Sequence, residues 1–293
     1  MTETIHNYFA TEKLAPSSKR MFNICIDKWR ACWDTPKTLA WIVAHPTEAL
    51  KALRENPDIK NTPANNHRYI SAIIAYIKHE LRDESGVYIQ WKDSQVKNSE
   101  PLREHRLTGK PTDLQAGKEL NWSDICKARD ALPLTQTKLL LAFYTYINPM
   151  RADYFATELV HDAREPEGNY IRCLPRDKYV LVIQDYKTKK AFGKMEVALP
   201  EPLAKMLTEY LREHAGRKYL FLKETEEPFS RHGFSCWTSK HLSRAMGKQT
   251  TLTALRHAFT SQLDFNRPIA ELNTIAKSMG HSVATQRTYK WDE

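Results

Sequence analysis

Between Lys92 and Gly117 the sequence loses its hydrophobic period. The stretch is polar and holds Pro101, Gly109, Pro111 and Gly117. On either side, apolar residues recur at helical or strand spacing, so each flank can bury a core of its own. This predicts two folded regions, residues 1–92 and 118–293, joined by a linker at 93–117 with some helical tendency near Leu102–Leu107. At 293 residues the chain is also long enough for one core to divide into two.

The first region reads as helices. Ser17 to Trp33 carries Met21, Ile24, Cys25 and Trp29 near the helical period. Ala40–Val43 and Thr47–Leu53 are short helices separated by His45-Pro46, and Thr62-Pro63 starts the strongest one, with Tyr69, Ile70, Ile73, Ile74, Ile77 and Leu81 on one stripe. These make a four-helix module. In the second region, Asn121 caps a helix to about Ala131, and Leu134–Tyr146 is apolar enough to be buried. Ala152–Leu159 reads as a further helical run. Tyr170–Leu174, Tyr179–Ile183 and Lys194–Leu199 alternate as strands of a small antiparallel sheet. Helical segments follow at Glu201–His214, Phe234–Met246, Thr253–Leu263 and Ile269–Met279. The expected class is mainly α with a small antiparallel β-sheet.

Several classes are excluded. No run approaches the ~20 apolar residues of a membrane span, so no membrane partner is expected. The start, Met1 to His6, lacks the basic and apolar regions of a signal peptide. Five scattered cysteines form no C-x-x-C pair, which suits free thiols in a reducing, intracellular setting and gives no zinc pattern.

The formal net charge is +9, and its distribution says more than its size. From Phe229 to Lys290 nine Lys or Arg face only Asp264 and Glu271, with four histidines among them. The stretch lacks the composition of a disordered basic tail, so a folded, positively charged surface suited to phosphate is implied.

Four places could carry chemistry, and each has an ordinary reading. Arg151 follows the buried helix at a junction, where most arginines are solvated or ion-paired. Lys187 lies in the Lys-rich turn Asp185–Lys190, and such turns commonly keep a sheet edge soluble. Arg256 and His257 sit in a helix whose Leu255 and Phe259 face a core, with Arg256 expected to point elsewhere. Gly280 reads as a helix C-cap that leaves His281 at a turn, and Tyr289 would ordinarily be a packing aromatic.

Together they are more specific. Leu255-Arg256-His257-Ala258-Phe259, then Met279-Gly280-His281-Ser282, then Tyr289 eight residues beyond His281, resembles the tyrosine recombinase (phage integrase) family. Arg151 and Lys187 fit the family's first arginine and hairpin lysine in order and spacing. The resemblance covers residues 118–290 and implies a tyrosine-recombinase-type catalytic domain after a helical core-binding domain that grips DNA. It implies a site-specific recombinase or integrase from a mobile element, DNA-associated inside the cell, that cleaves and rejoins duplex DNA as a tetramer on paired sites. Tyr289 would be the nucleophile of a 3′-phosphotyrosyl intermediate, Arg151 and Arg256 would hold the transition-state charge, Lys187 would protonate the departing 5′-oxygen, and His281 would donate a hydrogen bond to phosphate. No metal or nucleotide cofactor is expected, because the bond energy stays in the phosphotyrosine.

The sequence also departs from the family pattern. Thr253 stands where His or Lys is usual, and cannot accept a proton near neutral pH. Tyr154, with Asp153 beside it, stands where an acid is usual, and the His281-to-Tyr289 gap is about one residue short. The family's C-terminal helix, which often docks on a neighbouring subunit, is either missing or lies beyond Glu293. A recombinase-derived DNA-binding protein with lost or weak catalysis is therefore the alternative.

Overall fold

The computed structural model describes residues 6–111, 117 and 119–291. The chain divides into two compact units, Met1–Thr108 and Gly109–Glu293. The signal-peptide reading at residues 1–5, and residues 112–116 and 118 in and beside the expected linker, lie outside the described residues.

The first unit is helical: α1 (Pro16–Arg30), α2 (Leu39–Ala44), α3 (Pro46–Glu55), α4 (Pro63–Tyr76) and α5 (Gly86–Leu107). A π-helical turn at Ile77–Leu81 extends α4 and ends at Arg82, whose φ is 55°. Thr62 caps α4 through its side chain, and Pro63 takes the first helical position, where a missing N–H costs nothing. Trp29 and Trp91 meet edge to face at 5.2 Å, and both indoles donate to backbone, to Ala49 O and Val43 O respectively.

Helix α5 corrects the expected linker: residues 93–107 are helical and belong to the first unit. Its attachment is mostly polar, which is why no hydrophobic period marks it. Trp91 is its one fully buried anchor among the described side chains. Beyond it, Gln95 Nε2 donates to Ser71 Oγ at 2.8 Å, Asn98 Nδ2 to Pro63 O at 2.7 Å, and Ser99 Oγ lies 2.8 Å from His67 Nδ1.

The second unit begins with α6 (Trp122–Ala131) and α7 (Gln136–Thr145). Leu139 to Tyr144 on α7 are 0% exposed, so this helix is buried on every side. The sheet follows as β1 (Glu158–Val160), β2 (Tyr170–Leu174), β3 (Lys178–Ile183) and β4 (Met195–Ala198), with α8 (Lys189–Phe192) between the last two. Five helices complete the unit: α9 (Glu201–Glu213), α10 (Arg231–Met246), α11 (Leu252–Ser261), α12 (Ile269–Ser278) and α13 (Val283–Arg287).

The class is mainly α, as expected, but the sheet is mixed rather than purely antiparallel. Its order is β1-β2-β3-β4, with β1 parallel to β2 and the other pairs antiparallel. The expected helical run at 152–159 is instead a set of turns leading into β1. Ala156 at φ 47° breaks any helix there. On its other side β1 is held by Leu159 N to Lys218 O and Leu220 N to Thr157 O, both 2.8 Å. Long-range pairing overrides local pattern in so short a strand.

Candidate functional site

Arg256 occupies the middle of α11, which Thr251 caps by accepting from Ala254 N. Leu252, Leu255 and Ala258 pack inward around it. The arginine was expected to point away from the core, yet it is 1% exposed. Its Nη1 donates to Pro149 O at 2.8 Å and Met279 O at 3.2 Å. Its Nε and Nη2 are buried and make no well-formed hydrogen bond, with the Tyr289 hydroxyl as their one nearby side-chain acceptor among the described residues. Buried polar groups are nearly always satisfied, so two nitrogens with three poorly partnered N–H groups on one cation leave donor capacity for a further acceptor. Burial pushes the Arg256 pKa down from its ordinary value; the Tyr289 phenol opposes the shift and Arg151 adds to it.

Arg151 follows α7 by six residues. Asn148 Nδ2 straps this turn to α12 by donating to Ser278 Oγ at 2.7 Å, and the Tyr144 hydroxyl donates to Arg151 O. Arg151 Nη1 donates to Gly280 O at 3.1 Å. Gly280 has φ 71°, and a Cβ there would lie 3.3 Å from Thr188 Oγ1 and 3.6 Å from Arg151 Nη1. The left-handed backbone favours glycine, and a Cβ would also press on the Thr188 hydroxyl. Thr188 Oγ1 donates to the same Gly280 carbonyl at 2.7 Å.

His281 is 3% exposed. Its Nδ1 faces the Ser282 carbonyl at 3.2 Å, so Nδ1 carries the proton of the neutral ring. Nε2 is buried without a partner. Burial first, then Arg256 and Arg151, push the His281 pKa down to about 4, against the pull of the Ser282 hydrogen bond. The ring lies near-parallel to that of Tyr289, 5.5 Å between centroids. The guanidinium carbon of Arg256 is 4.9 Å from the Tyr289 centroid.

Tyr289 follows α13, which Ser282 caps. Its amide donates to Gln286 O at 2.9 Å. Its carbonyl accepts from His257 Nδ1 at 2.7 Å. His257 stacks on Trp291, whose amide donates to Ser261 Oγ at 2.9 Å. Burial pushes His257 down to about 4 as well, partly offset by the bond to Tyr289.

The structure thus gathers Arg151, Arg256, His281 and Tyr289 around one point. Lys187 is exposed on the β3–β4 connection, next to Thr188, whose hydroxyl reaches the Gly280 carbonyl that Arg151 also bonds. Thr253 is exposed on the first turn of α11. Tyr154, at the position usual for an acid, is fully buried with an unpaired hydroxyl, and burial raises its pKa. Asp153 is 1% exposed and pairs with Arg231 Nη1 at 2.5 Å, not with Arg151. Sequence reasoning missed Arg231, Trp291 and the buried Asn169, none of which lies in a spaced motif.

Among the described residues, no group of three or more His, Cys, Asp or Glu could hold a metal ion, and the five cysteines are free. No described helix is long and apolar enough to cross a membrane. No protein-family model and no curated protein sequence matches the chain. Among solved structures, the crystal structure of XerA recombinase is similar, with a TM-score of 0.45 and 15% identity over 96% of this chain and 89% of that one.

Proposed function

We propose that this chain breaks and rejoins duplex DNA through a covalent bond between Tyr289 and phosphate. The observation that carries the reading is the pair of buried guanidinium nitrogens on Arg256, Nε and Nη2, that make no well-formed hydrogen bond and lie beside Tyr289. A phosphodiester seated there would accept from Arg256 and Arg151 together. Their forks hold its non-bridging oxygens where charge develops in the pentacovalent transition state. The Tyr289 oxygen attacks phosphorus and the bond to the 5′-oxygen breaks. The 5′-oxygen takes a proton from Lys187, and the phenol proton passes to solvent or a nearby base. Rejoining reverses each transfer.

His281 supplies its orphaned Nε2. With the neutral ring's proton on Nδ1 this nitrogen only accepts, so donation to phosphate needs either protonation, which a bound anion favours, or a shift to the other tautomer. The surplus of Lys and Arg from Phe229 to Lys290 supports duplex DNA as the polyanion. The helical unit through Thr108 would grip the same duplex. Exchange between two duplexes breaks four strands, and with one Tyr289 per chain that takes four copies. Integration or excision of a mobile element inside a cell is the setting such chemistry serves.

Thr253 favours a second reading, a DNA-binding protein with weak or lost catalysis, because an exposed hydroxyl supplies no base. The separating experiment incubates the protein with a pool of nicked duplexes of randomised sequence and recovers adducts that survive denaturation. The enzyme reading expects an adduct mapped to Tyr289 and absent from Tyr289→Phe, with binding of the variant changed by no more than about threefold. Salt-dependent binding with no adduct would establish the second reading.

A further inference from the structure

The geometry points to Asn169 as a positioning residue that fixes Lys187 relative to Arg151. This rests on the proposed DNA cleavage and adds to it a residue outside the motif.

Asn169 is 3% exposed and lies just ahead of β2. Its Nδ2 donates to Asp153 O at 2.7 Å and to Asp185 O at 2.9 Å. Its Oδ1 accepts from Gln184 N at 2.8 Å and Asp185 N at 2.7 Å. Both donors and both acceptor sites of the amide are used. Asp153 stands two residues after Arg151, and Asp185 two residues before Lys187. One side chain therefore ties the two loops that carry the two cations. The backbone carbonyl of Asn169 accepts from Glu158 N at 3.0 Å, so the knot is anchored where β1 and β2 begin to pair.

A second tether reaches Lys187 from its other side. Thr188 Oγ1 and Arg151 Nη1 share the Gly280 carbonyl. Between the two tethers, Tyr186 is buried and its hydroxyl donates to Gly193 O at 2.7 Å. The backbone on both sides of Lys187 is thus held, while its side chain is exposed. A fixed base with a free four-carbon arm suits a proton donor that must meet a leaving oxygen only when DNA is bound. The nearest substitutes lose these bonds. Aspartate has no donors, alanine has neither donor nor acceptor, and glutamine is one methylene too long.

A purely structural role would close the end of the sheet and nothing more. The two roles differ in what a leaving group can rescue. A nicked duplex from the adduct pool is made with the ordinary 5′-bridging oxygen and with 5′-bridging sulfur, which departs without a proton. Adduct formation is measured on fully bound protein for wild type, Asn169→Asp, Asn169→Ser, Thr188→Val and Lys187→Ala. If Asn169 acts through Lys187, Asn169→Asp loses about tenfold or more on oxygen and no more than about threefold on sulfur, in the pattern of Lys187→Ala. Equal losses on both substrates, or no loss on oxygen, overturn the proposal. If Asn169→Asp shows no cooperative thermal unfolding, Asn169→Ser, which removes the bonds without adding a charge, carries the same test with the same criterion, and Thr188→Val serves as the control for the second tether. Wild type that forms no adduct on either substrate refutes the cleavage reading itself, a result distinct from these.

Discussion

The indole of Trp291 lies flat on the imidazole of His257, 4.1 Å between centroids and 9° from parallel. The same imidazole donates to the carbonyl of Tyr289. The stack therefore fixes the ring that fixes the backbone of the proposed nucleophile. Trp291→Ala should lower adduct formation about tenfold at saturating DNA while the dissociation constant changes little. Trp291→Phe keeps a stacking face and should recover most of the rate. Equal losses in both variants, or a loss confined to binding, would remove this role.

Arg256→Met tests the poorly partnered guanidinium. Relief of a buried, partly unsatisfied cation offsets the loss of the bonds to Pro149 and Met279. Unfolding in urea should change by only about 1 kcal/mol. Adduct formation should fall about 100-fold or more, because charge appears at phosphorus in the transition state. Arg151→Ala should show a similar catalytic loss. Collapse of stability with Arg256→Met would make the residue a structural pin instead.

The two buried histidines set the acid behaviour. His257 and His281 both sit at about 4 in the fold, against about 6.5 in an unfolded chain. Between those values the unfolded chain binds more protons, so stability should rise with pH across the window and level off above it. His281→Gln should flatten part of that slope in urea titrations. Burial, and after it Arg256 and Arg151, hold His281 neutral, and an anion bound beside Nε2 would oppose them. Sulfate binding, followed by calorimetry, should therefore take up a proton and weaken from about pH 5 to about pH 7. A pH-independent sulfate affinity in wild type would place the anion away from His281.

Thr253 is exposed, which leaves room for an imidazole. Thr253→His should leave the thermal midpoint unchanged and raise adduct formation by about tenfold, with an apparent pKa near 6.5 in the rate profile. Thr253→Val keeps the shape and removes the hydroxyl. A silent Val with a damaging His would show that the residue contacts DNA sterically and that the phenol's proton leaves by another route.

The sequence was most readable where hydrophobic period and chemistry coincide. Helices α4, α7, α11 and α12 follow from stripes, caps and the glycine at 280, and the arginines, His281 and Tyr289 from a spaced train of residues. What escaped has a different physics. Helix α5 is attached by Gln95, Asn98 and Ser99, and polar contacts leave no apolar stripe. Strand β1 has three residues and owes its state to the partners on both sides. Asn169 reaches 16 residues in each direction to Asp153 and Asp185, a link with no local signature. The burial of Arg256 was missed because a cation on a core helix is assigned to solvent by default, whereas here it fills the centre of a cradle.

The elements that hold the proposed anion and the one that would attack it are rooted at different depths. Arg256 grows from the buried α11, and Arg151 from the turn that follows the buried α7 and is strapped to α12 by Asn148. Tyr289 follows a five-residue helix and is secured by an amide, a carbonyl and a stacked ring. Local opening frees such a segment long before it disturbs the core. On the proposed reading, recognition can then outlive reactivity: a molecule with the segment around Tyr289 released would still grasp phosphate but would have no means to cut it.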